Sequence, residues 1–248
     1  MSSNPAVLLS DLERGLQDIF ASIQEQLSAR TAISEAQSTQ LNNLTGGFEK
    51  LLQVLEELEQ QADNKQEMLD SKSITELGGY AFTLLQELQT WCAQASLDCK
   101  NTTDQLGLGF AIWTSGRGGK LFSLEPIVDA IAALANQTLE QQQLQHLFHN
   151  IMQILLAVDD SIRQDLEKTN PFRPWRILNI NAGIIATRTH DPDRMEIAFG
   201  HLLRNLPEDA PGFFSEGMEQ MDKLDYPAHV RAVMSRYHGQ TQGKKSLH

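Results

Sequence analysis

Seven apolar residues, Leu41, Leu44, Phe48, Leu51, Leu55, Leu58 and Ala62, alternate at spacings of three and four. That heptad spacing keeps one side of an α-helix apolar, and the stripe needs a second helix to cover it. It therefore fixes helix-on-helix packing as the architecture and specifies no reaction. The surrounding composition agrees. Leu, Ala, Gln and Glu dominate the 248 residues, and β-branched runs are scarce, which favours helix over sheet. A chain of this length buries a core without disulfide or metal staples.

Further stripes follow. Leu9, Leu12, Leu16, Ile19, Ile23 and Leu27 mark a first helix, and residues 28–43 are polar enough to let it fray. The seam helix spans about 44–69. A third helix starts at a Ser73/Glu76 capping box and runs through Phe82, Leu85, Leu88 and Trp91 to about Leu97. Gly46-Gly47-Phe48 and Gly78-Gly79-Tyr80 each precede a Leu-Leu-Gln stretch. The echo reads either as glycines that admit a close helix neighbour or as coincidence in a Leu/Gln-rich chain.

Residues 98–125 hold polar positions, a short apolar run to Trp113 and the Gly-rich stretch Ser115–Lys120, which reads as a domain boundary. Beyond it, helices are expected at about 124–136 and 138–168. Asn170-Pro171-Phe172-Arg173-Pro174 stops the second, and Pro174, Pro192, Pro207 and Pro227 open short helices. The expected fold is all-α. An N-terminal antiparallel helical hairpin or bundle (1–115) precedes a compact multi-helix bundle (120–240) and a disordered tail (241–248).

The net charge of −12 is uneven. Residues 1–169 carry ten basic and 23 acidic side chains, whereas the remainder carries ten and nine. The front part repels nucleic acid and anionic membranes, while the back part tolerates an anionic ligand. No apolar stretch approaches the ~20 residues of a membrane span, and Met1–Gly15 lacks an export signal, so the expected location is cytoplasmic. Cys92 and Cys99 are seven residues apart. On one continuous helix they sit about 10 Å apart along the axis. A disulfide then requires a break between them, and reduced thiols are the simpler expectation.

Catalytic signatures are thin. His146 and His149 share a helix face, but no histidine has a carboxylate three residues before it, and His-Glu-x-x-His is absent. No metal and no cofactor are expected. Ser115–Lys120 departs from a phosphate loop at its first glycine and after its lysine. Gly183, Phe199 and Pro207 match tetratricopeptide positions, but Met195 and Leu202 do not, too little to assign a family.

Arg173, Arg176 and Arg188 precede a concentrated turn, His190, Asp191, Asp193 and Arg194. Asp191 suits a helix N-cap with Pro192 after it. If the arginines converge, they and His190, Asp191 and Arg194 offer bidentate bonding to an anion; otherwise they make salt bridges. The leading expectation is a non-catalytic helical adaptor, scaffold or assembly factor. It would bind another protein, or itself as a homodimer, through the heptad surface, with neither nucleic acid nor membrane as partner. The alternative is a helical-bundle enzyme or ligand-binding protein whose Arg/His-lined pocket holds an anionic small molecule.

Overall fold

A computed structural model describes residues 5–30, 34–63 and 70–243. Among them the regular elements are α-helices: α1 (Pro5–Arg30), α2 (Glu35–Asp63), α3 (Ser71–Gln94), α4 (Lys100–Gly116), α5 (Glu125–Gln137), α6 (Gln141–Ala157), α7 (Asp160–Arg163), α8 (Pro174–Arg188), α9 (Pro192–Asn205), α10 (Ala210–Lys223) and α11 (Ala228–Gly243). The protein is all-α. No helix among the described residues is long and apolar enough to cross a membrane. The chain forms two compact units. The first holds the described residues up to Ile131 with Leu156–Asp159, and the second holds Ala132–Leu155 and the described residues from Asp160 onward.

In the first unit, α1 packs on α2, α2 on α3, α3 on α4, and α4 back on α1. This closed ring buries Leu41, Leu44, Phe48, Leu51 and Leu55. Phe48 meets Phe20 of α1 edge-on at 5.9 Å and stacks on Phe110 of α4 at 6.3 Å. Each such buried side chain contributes roughly 1.5–3 kcal/mol. The seam thus closes an internal bundle, and its five buried side chains offer no stripe to a partner or a second copy. Only Leu58 and Ala62, toward the end of the helix, are half-buried.

Helix α2 begins well before the expected residue 44. Ser34 supplies the reason: its hydroxyl accepts from the Gln37 N–H at 3.2 Å, and its own N–H donates to the Gln37 side chain at 3.2 Å. That reciprocal capping box starts a helix on polar residues. The expected extension over 64–69 lies outside the described residues. Helix α3 is capped by Asp70, which accepts from the Ser73 N–H at 2.8 Å; the Ser73/Glu76 box is not used.

Helix α4 occupies residues expected to be irregular. Its internal glycines are packing devices. A Cβ on Gly109 would stand 2.6 Å from Leu12 Cδ2 of α1, and one on Gly78 of α3 would stand 2.5 Å from Thr114 Oγ1 of α4. The Gly-rich stretch finishes α4. Gly118 takes the left-handed conformation (φ 79°), and Gly119 N–H bonds back to the Thr114 carbonyl at 2.9 Å. Lys120 N–H donates to Thr75 Oγ1 at 2.8 Å. With Arg117 and Gly118 N–H also bonded to α4 carbonyls, these backbone donors are spent on the fold, not aimed at an anion.

The single helix expected over 138–168 ends at Ala157. There the backbone is drawn into a short bridge, with Leu121 N–H donating to the Ala157 carbonyl at 3.0 Å and Asp159 N–H to the Leu121 carbonyl at 2.9 Å.

In the second unit, α8 packs on α9, α10 on α11, and α9 on α11. Pro192 stands in the first turn of α9, after its N-cap Asp191. Helix α10 starts at Ala210 with Pro211 in its first turn, not at Pro207. Phe199, Phe214 and Tyr237 form an aromatic core with centroids 5.0–5.4 Å apart. The apolar run 177–185 is helical, and its buried Asn179 is satisfied: it donates to the Trp175 carbonyl at 2.8 Å and accepts from Asn205 at 2.8 Å. Helix α11 continues through Gly243, past the expected start of the tail at 241; residues 244–248 lie outside the described residues.

Candidate functional site

The arginines singled out in the sequence are drawn to acceptors within their own unit. Arg173 is buried. It forks onto Asp165 at 2.6 and 3.0 Å and reaches Asp209 at 2.7 Å. Arg176 meets the other oxygen of Asp209 at 2.7 Å and donates to the Pro171 carbonyl at 3.1 Å. Burial works to raise the Asp209 carboxyl, but the Arg176 and Arg173 hydrogen bonds outweigh it and hold the group below its ordinary value. The Arg173 guanidinium is held more firmly protonated, chiefly by Asp165. Arg188 donates to the Ala135 and Thr138 carbonyls. Arg173 and Arg176 therefore do converge, but on an internal carboxylate.

His190, Asp191 and Arg194 form the corner between α8 and α9. His190 adopts φ 55° and stacks edge-on against Tyr226 at 5.4 Å. Asp191 accepts from the Asp193 N–H at 2.9 Å and pairs with Arg194. Asp193 itself adds negative charge to the first turn of α9. The residues are a helix start whose charges are matched locally. His146 and His149 are exposed on α6.

A groove of about 700 Å³ lies between α8 and α10, with Tyr226, just before α11, and Met234 of α11 also lining it. Ile180 and Ile184 come from α8, Phe213 from α10 and Met234 from α11, and Arg176 and Arg188 also line it. Two glycines seat two of these side chains. A Cβ on Gly183 would meet the Phe213 ring at 2.6 Å, and one on Gly217 would meet Met234 Sδ at 2.6 Å. They stand 34 residues apart at matching places in successive helical hairpins. Glu216 and Glu219 border the groove, exposed and with no basic partner among the described residues. Sequence reasoning missed this groove; the glycine spacing was its one legible signal.

A second cleft, of about 620 Å³, lies in the first unit between α3, α4 and the start of α5. Cys92, Cys99, Gln89 and Thr103 line it together with Lys100, whose ammonium bridges Asp104 at 2.6 Å and Asp129 at 2.5 Å. Burial raises the Asp104 carboxyl despite that lysine. Compared with known proteins, the chain matches no family model, no curated protein and no solved structure.

Proposed function

We propose that the protein is a non-catalytic helical interaction protein that holds a segment of another protein in the α8–α10 groove. The observation that carries this reading is the groove itself. It is lined by Ile180, Ile184, Phe213 and Met234, with Phe213 seated against Gly183 and Met234 against Gly217, and bordered by two unneutralised carboxylates, Glu216 and Glu219. Paired helical hairpins with an apolar channel along their first helices suit a peptide laid across them. Because Arg173, Arg176 and Arg188 already have internal acceptors, the charge left to a ligand is negative. The fitting occupant is a segment with one or two bulky apolar anchors flanked by Lys or Arg. The same accounting removes the support for an anionic small molecule.

Panning a random peptide library against the full chain tests this. The expected enrichment is for apolar-plus-basic sequences. Ile184, 41% exposed, tolerates replacement, so Ile184→Glu should weaken the enriched peptides about tenfold or more, near 1.4 kcal/mol, with an unchanged circular dichroism spectrum. Enrichment of acidic peptides, or binding indifferent to Ile184→Glu, would overturn the proposal.

A further inference from the structure

We propose that Cys92 and Cys99 form a reversible intramolecular disulfide across the turn between α3 and α4. On an unbroken helix their spacing would forbid it, but the helix is broken between them. Helix α3 ends at Gln94. Ser96 takes φ 54°, its N–H returns to the Ala93 carbonyl at 3.0 Å, and Leu97 N–H returns to the Cys92 carbonyl at 2.9 Å. This left-handed cap reverses the chain. Cys99 then becomes the N-cap of α4, with its side chain making no cap bond.

The register of the two helices brings the thiols together. Far from the turn, Gly78 faces Thr114; nearer, a Cβ on Gly107 would stand 3.7 Å from Leu85 Cδ1, beside Pro126; nearer still, Gln89 donates to Thr103 at 3.3 Å. Each pair moves toward the turn by equal steps in opposite directions, as antiparallel helices require. The next step sets Cys92 against the first residues of α4, where Cys99 stands. Burial, and the Cys99 thiol beside it, push the Cys92 thiol well above its ordinary value. Both thiols are free and line the same cleft of about 620 Å³, which admits a small oxidant.

The co-reactant is a low-molecular-weight disulfide, RSSR. Cys99, the less buried of the pair, gives its proton to solvent, and its sulfur attacks one sulfur of RSSR. The RS–SR bond breaks, and the departing thiolate takes up a proton as RSH. Cys92 then loses its proton to solvent and attacks the Cys99 sulfur. The mixed disulfide breaks, and a second RSH leaves. Two electrons pass from the cysteine pair to RSSR, which ends as two thiols.

The test uses the native full-length chain in mixtures of oxidised and reduced glutathione, quenched with acid, alkylated and cut with trypsin. Residues 73–100 form one tryptic peptide containing both cysteines. The expected product is that peptide, unalkylated and lighter by two hydrogens. Closure should be about tenfold or more favourable in the native chain than in urea. Cys92→Ser should stall with one glutathione on Cys99. A native chain that stays doubly alkylated, stops at a mixed disulfide or cross-links to a second copy would overturn the proposal, as would closure no more favourable in the native chain than in urea.

Discussion

Two adjacent glycines in α3 should respond unequally to the same substitution. Gly79→Ala adds a methyl where nothing lies within 4 Å. The expected result is the helix-propensity gain alone, about 0.5–1 kcal/mol of added stability. Gly78→Ala adds the same methyl 2.5 Å from Thr114 Oγ1 and 2.8 Å from Thr114 Cγ2. Thr114 is fully buried, so relieving the contact means displacing a packed side chain or parting α3 and α4. Overpacking of this kind costs about 1–3 kcal/mol. Set against the same propensity gain, the net effect runs from near neutral to about 2.5 kcal/mol destabilising. The difference between the two variants is then about 1–3 kcal/mol, the overpacking cost. Urea denaturation followed by far-ultraviolet circular dichroism, with both variants run beside the wild type, measures it. Equal stabilisation by both alanines would mean that α3 and α4 do not approach closely at Gly78. That result would remove the helix register on which the pairing of Cys92 with Cys99 rests.

Asp209→Asn should cost about 2 kcal/mol at neutral pH, because Arg176 and Arg173 each lose a charged acceptor while Arg173 keeps Asp165. The folded Asp209 carboxyl lies below its ordinary value. Its contribution is therefore full above the ordinary carboxylate range and lost as pH falls through the depressed value. Urea midpoints for wild type and variant should converge in acid, and a gap that stays constant from neutral to strongly acidic pH refutes this. Thr114→Val removes a buried hydroxyl that finds no hydrogen-bond partner. It should raise stability by about 1 kcal/mol, read from the same urea experiment; a loss instead would show that the hydroxyl is satisfied.

What the sequence made legible was periodicity. The seam on α2, the stripe on α1 and the proline-started helices α8 and α9 all came from apolar spacing or from proline chemistry, which act locally. Helix α4 escaped because its apolar run to Trp113 is short and the helix carries internal glycines, Gly107 and Gly109. Their value lies in the neighbours they admit, and Leu12 is almost a hundred residues away in sequence. The break between Cys92 and Cys99 escaped for the opposite reason. A left-handed cap is normally announced by glycine, yet here Ser96 adopts it, so local propensity gave no warning. The arginines were visible as a group, but Asp165 and Asp209, which satisfy Arg173 and Arg176, lie on either side in sequence and carry no mark of that role.

That last omission decides the chemistry of the groove. A count of charges along residues 170–248 gives near balance and invites an anion. Position gives a different answer, because charge matters only where it is left uncompensated. Arg173 sits over Asp165 and Asp209, Arg176 shares Asp209, and Arg188 is spent on two carbonyls. The Arg173 and Arg176 contacts tie the start of α8 to Asp209 at the start of α10, at one end of the groove. Glu216 and Glu219 stand two and three turns further along α10 with no internal cation among the described residues. Arg173 and Arg176 thus act as struts at one end of the groove, and the glutamates are the charges left uncompensated beside it. A ligand that reads electrostatics there should bring lysine or arginine, and increasing salt should slow its association while changing its release little.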